Sequence, residues 1–168
     1  FGAGGGAHRA IYNLDEVHGF LKKRWTGVDI AVVRWSSMSL TEQLMLVGNA
    51  SVLVTPSGGV SFIGVFLPDG GGLVVMDHLS SIHDHRDFEC GGRNQSCSMD
   101  SMFWAMFLHL RTAFYQIKSP SEHVSDGSGP KTYRDGHHVI VNPTRLANIV
   151  EAVLFRQGYK IKYPRSEN

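Results

Sequence analysis

An apolar run, SVLVT (51–55), meets Pro56-Ser57-Gly58-Gly59, and a second apolar segment opens near Ser61. Small residues there let the backbone come close to a phosphate, and a helix starting near Ser61 offers N–H groups that have no partner of their own. The same glycines also suit a tight turn in a buried core, and local chemistry leaves both readings open. A second pattern, Gly2-Ala3-Gly4-Gly5-Gly6-Ala7, has the spacing G-x-G-x-x-G/A. That fingerprint works only with a strand before it and a helix opening at its third small residue, and this chain offers neither, so a nicotinamide site is set aside. His78, His83, Asp84, His85 and Asp87 form a third group. His83 and His85 share one face of an extended chain, and such side chains ligate metals, yet their spacing fits no strong zinc pattern and a polar loop is ordinarily solvated. His137-His138 carries less weight still.

These residues need elements to hold them. Asn13 is placed to cap a helix whose first turn carries Asp15 and Glu16, with Leu14, Val17, Phe20 and Leu21 as its apolar stripe and Gly27 beyond its end. VDIAVVRW (28–35) reads as a buried strand. Ser39-Leu40-Thr41-Glu42 has the capping-box pattern and opens a helix through about Val47. SVLVT is the next strand, and GLVVMD (72–77) the one after. The polar stretch 78–98 reads as a long loop, and 99–117 as a core helix bearing Phe103, Trp104 and Phe107. Residues 119–136, rich in Ser, Gly and Pro, read as a mobile surface loop, and HHVIV (137–141) as a short last strand. Asn142 then caps a helix with Pro143 at its first position and Leu146, Ile149, Val150 and Val153 as its buried stripe. Alternation of helices with continuously apolar strands predicts an α/β, Rossmann-like parallel sheet flanked by helices, with residues 1–168 as one domain.

A formal charge of +1 supplies no basic field for nucleic acid or an anionic membrane. The apolar stretch 102–110 is far short of the roughly 20 residues that cross a bilayer. The chain opens on Phe1 rather than Met, so a piece of a longer protein is expected. Cys90 and Cys97 bracket the sequon Asn94-Gln95-Ser96, and Asn49-Ala50-Ser51 is a second sequon. A luminal disulfide with glycans and a pair of free thiols both remain open on this pattern.

Residues 39–77, SLTEQLMLVGNASVLVTPSGGVSFIGVFLPDGGGLVVMD, resemble the signature region of glycosyltransferase family 61, without a gap from Glu42 through Gly70. That family includes plant xylosyltransferases and animal O-linked N-acetylglucosaminyltransferases of the secretory pathway. It shows a helix bearing Glu-Gln, a strand ending in a Gly-x-His-Gly-Ala-Gly-type turn, then Phe-Leu-Pro-Pro-Gly and an apolar strand ending in an acid. AHRAIYNLDEV (7–17) is similar to the family's Arg-x-Ile-x-Asn segment. The departures are Ser57 where relatives keep histidine, and Gly58-Gly59-Val60 where they keep Gly-Ala-Gly.

The resemblance implies the C-terminal, donor-binding half of a two-domain GT-B enzyme. Such an enzyme moves a sugar, with inversion, from a UDP-sugar to a protein or glycan hydroxyl and requires no metal or other cofactor. By the same resemblance Arg9 neutralises the donor diphosphate and Asn13 shapes the pocket. Glu42 and Gln43 contact the nucleotide sugar or brace the turn; Ser57, Gly58, Gly59 and Ser61 supply donors; Asp77 faces the pocket. The bland counterparts are a capping role for Glu42 and Asn13, a solvated Arg9 and a turn role for Asp77. Also implied are an N-terminal partner domain in the same chain, the lumen of the Golgi or endoplasmic reticulum, and a type II membrane anchor. Two alternatives stay open: a non-catalytic nucleotide- or glycan-binding domain, and a metal-dependent hydrolase built on His83 and His85.

Overall fold

A strand covered on both faces needs apolar residues at consecutive positions, and Leu73-Val74-Val75-Met76 meets that demand. The computed structural model describes residues 10–76, 88–89, 96–97, 103–104, 106–117, 119–125 and 137–156. In chain order these hold helix α1 (Leu14–Arg24), helix α2 (Leu40–Gly48), strand β1 (Val52–Pro56), a 3-10 helix (Gly59–Phe66) and strand β2 (Gly72–Met76). Strands β3 (Phe88–Glu89), β4 (Ser96–Cys97), β5 (Arg111–Tyr115), β6 (His123–Ser125) and β7 (His137–Val139) follow, and helix α3 (Pro143–Arg156) closes the series.

β1, β2 and β5 form a parallel sheet in that order, with β2 in the middle. β3 pairs antiparallel with β4, and β6 with β7. Side chains of β2 alternate between two cores. Val74 and Met76 meet α1 and α3 through Val17, Leu21, Leu146 and Val150. Leu73 and Val75 meet Val47, Leu67, Trp104 and Leu110 on the other face. The domain is therefore a three-layer α/β arrangement, as the alternation of elements predicts.

α1 and α3 run side by side in the same direction. At one end the Asn13 amide donates to the Val141 carbonyl (2.8 Å) and accepts from the Val141 N–H (2.9 Å). At the other, Arg24 Nε and the Trp25 indole N–H both reach Glu151 Oε1, at 2.6 and 2.9 Å. Asn142 caps α3 as expected, its side chain accepting from Arg145 N at 2.9 Å. Asn13 does not cap α1: its side chain makes no capping bond and is committed instead to Val141 and to Glu16.

Three expectations about elements are corrected. Residues 28–35 form no strand. Val28 and Val32 are 44% and 41% exposed, while Ile30 packs on one core and Trp35, at the start of a short 3-10 turn (Trp35–Ser37), on the other. The Ile30 carbonyl takes a hydrogen bond from His18 Nε2 (3.2 Å), so a side chain satisfies it. The helix expected over 99–117 gives way to β5 at Arg111. The free edge of β2 needs a ladder partner, and RTAFY, with Thr, Phe and Tyr, suits a half-covered strand. Before it, Phe103–Trp104 is helical and Trp104 is buried, whereas Leu108 is 94% exposed. Residues 119–125, expected within a mobile loop, form a 3-10 turn (Pro120–Glu122) and β6.

Candidate functional site at the carboxyl edge of the sheet

Parallel strands end together. Pro56, Met76 and Tyr115 stand in register across the sheet, so the loops after β1, β2 and β5 leave from one edge. Open α/β sheets bind ligands in the crevice outside such an edge.

The turn after β1 is built from its smallest residues. Ser57 N–H donates to the Met76 carbonyl (3.0 Å), carrying the ladder one step past the strand. Gly58 then takes φ 105° and ψ −161°, a region closed to side chains with a Cβ. Its carbonyl accepts from both Ser61 N (2.9 Å) and Ser61 Oγ (2.7 Å), which locks the turn. The expected helix start near Ser61 is a 3-10 helix starting at Gly59. Ser57 and Ser61 are buried, and the Ser61 hydroxyl proton is spent inside the turn. Gly59 and Val60 are left to present the N–H groups that a 3-10 helix cannot satisfy in its own first turn. The turn therefore offers backbone donors rather than hydroxyls.

α2 ends three residues before β1 begins, so it runs antiparallel to that strand and its N-terminus lies toward the carboxyl edge. There the capping box forms as the spacing predicts. Glu42 Oε2 accepts from Ser39 N and from Ser39 Oγ, both at 2.7 Å, while Ser39 Oγ accepts from Glu42 N at 3.3 Å. These bonds, the side-chain one foremost, hold the Glu42 carboxyl below its ordinary pKa. Gln43 Nε2 donates to the carbonyls of Trp35 and Met38, each at 3.0 Å, and so braces the turn entering α2 rather than the glycine turn.

On the opposite face the edge carries a charged group that the sequence reading passed over. The Arg145 guanidinium lies 3.9 Å from the Tyr115 ring centroid and pairs with Glu122 Oε1 at 3.0 Å. The Tyr115 hydroxyl accepts from Asn142 N at 2.8 Å, tying the start of α3 to the end of β5. A cation in the first turn of a helix opposes the macrodipole, so Arg145 was recognisable as a residue needing a separate partner. Strand spacing puts Tyr115 about 10 Å across the sheet from Pro56.

Of the residues expected at a donor site, Ser57, Gly58, Gly59 and Ser61 thus form one turn at this edge, with Glu42 and Gln43 on the neighbouring helix. Asn13 sits at the start of α1, bonded to the residue before the α3 cap. Arg9, Asp77, the His83/His85 loop, Gly2–Ala7, Cys90 and Asn94 lie outside the described residues. Among the described residues, no group of three or more His, Cys, Asp or Glu is placed to hold a metal ion. Nor, among these, is any helix long and apolar enough to cross a membrane.

The family model for glycosyltransferase 61 matches residues 4–74. No curated protein matches the chain. The matched segment takes in α1, α2, β1, the Gly58 turn and the first three residues of β2.

Proposed function

We propose, from the match of residues 4–74 to the glycosyltransferase 61 family model, that the chain is the donor-binding half of a two-domain, GT-B-type enzyme using a UDP-sugar. The observation that carries the reading is the coincidence of the matched segment with the carboxyl-edge turn, where Gly58 takes a left-handed conformation and a 3-10 helix starts at Gly59 as the sheet ends. Backbone donors at a helix start stabilise a diphosphate before and after bond cleavage without requiring a metal.

In the proposed reaction a base takes the proton of an acceptor hydroxyl. The acceptor oxygen then attacks the anomeric carbon, and the bond to the diphosphate oxygen breaks with inversion. Arg9, with the N–H groups of Gly59 and Val60, receives the charge that develops on the departing UDP. Glu16, Glu42 and Glu122 are each engaged by the protein's own groups, and we assign the base to a residue outside the described ones. The acceptor is a protein or glycan hydroxyl, and the compartment is the lumen of the Golgi or endoplasmic reticulum.

A binding domain without turnover is the second reading. Ser57 favours it: this residue stands where relatives keep histidine, and its N–H is spent on Met76. Calorimetric titration of the full-length protein with UDP, followed by a donor-hydrolysis and transfer assay, separates the two. Binding with transfer is the expected result. Binding without either reaction across an acceptor panel establishes the module instead. Arg9→Ala and Gly58→Val should each abolish UDP binding, and unchanged affinity in both would refute the donor-site assignment.

A further inference from the structure

We propose that Asn49 is an N-glycosylation site, and that its glycan lies at the edge of the sheet opposite the donor site. The inference rests on the luminal location proposed above. Asn49-Ala50-Ser51 is the link between α2 and β1, and both Asn49 and Ser51 are exposed. The Ser51 carbonyl accepts from Gly72 N (2.9 Å), the first residue of β2, which fixes the sequon at the amino edge of the sheet. The five residues of β1, about 17 Å of extended chain, separate it from the Gly58 turn.

The Asn49 side chain already has a structural task, and the chemistry allows both. Its Nδ2 donates to the Met45 carbonyl at 2.8 Å, satisfying one of the last carbonyls of α2. A carboxamide nitrogen has two N–H bonds. In glycosylation by a lipid-diphosphate-linked oligosaccharide, one N–H proton is lost and Nδ2 bonds to the anomeric carbon. The bond from that carbon to the lipid diphosphate breaks, and the lipid diphosphate leaves. The second N–H remains for Met45. The Met45 side chain, one turn back on α2, is 64% exposed, so the first sugar has an apolar neighbour to cover.

The test expresses the full-length protein in cells with a secretory pathway, in an Asn94→Gln background so that Asn49 is the one sequon left within residues 1–168. Protein is then digested with a peptide N-glycosidase, which converts a glycosylated asparagine to aspartate, and the peptide containing Asn49 is sequenced by mass spectrometry. Conversion of Asn49 and a mobility shift on digestion are expected. Ser51→Ala, which keeps the Met45 bond intact, should lose the conversion at Asn49 entirely, and Ser51→Thr should retain it. UDP affinity should be unchanged by Ser51→Ala. An unmodified Asn49 in protein that protease protection shows to be luminal overturns the site while sparing the location. Protein found outside the lumen, unmodified, overturns both.

Discussion

Tyr115 shows how one side chain can join two elements. Its ring supports the Arg145 guanidinium and its hydroxyl receives the Asn142 N–H, so removing only the oxygen leaves a donor without an acceptor beside a fully buried ring. Tyr115→Phe should therefore destabilise the domain by about 1–3 kcal/mol, measurable by urea unfolding, with the fold retained. Gly58 is the complementary case, since backbone geometry rather than contact defines it. At φ 105° any side chain is strained, which is why Gly58→Val tests the turn and its ligand together.

At the scale of elements, α2 depends on its first turn. Ser39→Ala removes the oxygen that receives Glu42 N and should cost about 1 kcal/mol by thermal unfolding. The Glu42 half of the box is pH-dependent. Its folded pKa is lowered, so its stabilising contribution is complete above the ordinary carboxylate range and disappears as pH falls through the lowered value. A Glu42→Gln variant should melt below the wild type at neutral pH, and the gap should close in strong acid. An unchanged gap would mean that the carboxylate bonds are not what holds the helix start.

For the molecule as a whole, stability turns on β2, whose adjacent residues serve different cores. Leu73→Ala should cost about 2–5 kcal/mol through the face shared with Trp104. Gly64 lies directly over that side chain, and a Cβ built there would fall 2.9 Å from Leu73 Cδ1. Gly64→Ala alone should cost about 1–3 kcal/mol by overpacking. The two changes share one space, so the double variant should be less unstable than the sum of the singles in an unfolding cycle. Additive losses would place the two residues in independent packing.

Patterns of short range determined much of this protein. The capping box of α2, the Asn142-Pro143 start of α3, the runs that become β1 and β2 and the glycine turn between them follow from adjacent residues. Their partners lie within a few positions, so the sequence suffices. The Phe103, Trp104, Phe107 group is likewise core. Tertiary structure decided what depends on distant partners. The run at 28–35 is apolar enough for a strand, but Val28 and Val32 face solvent, Ile30 and Trp35 pack on different cores, and the Ile30 carbonyl bonds a helix side chain. RTAFY continues an apolar stretch that periodicity cannot separate from a helix, and the open edge of β2 draws it into the sheet. Asn13 has the sequence position of a cap, yet Val141, 128 residues away, supplies a better pair of bonds. Arg145 became visible as part of the edge only when β5 and α3 brought Tyr115 beneath it. A hydrogen bond across such a separation has no periodic trace in the chain, and folding alone brings its two ends together.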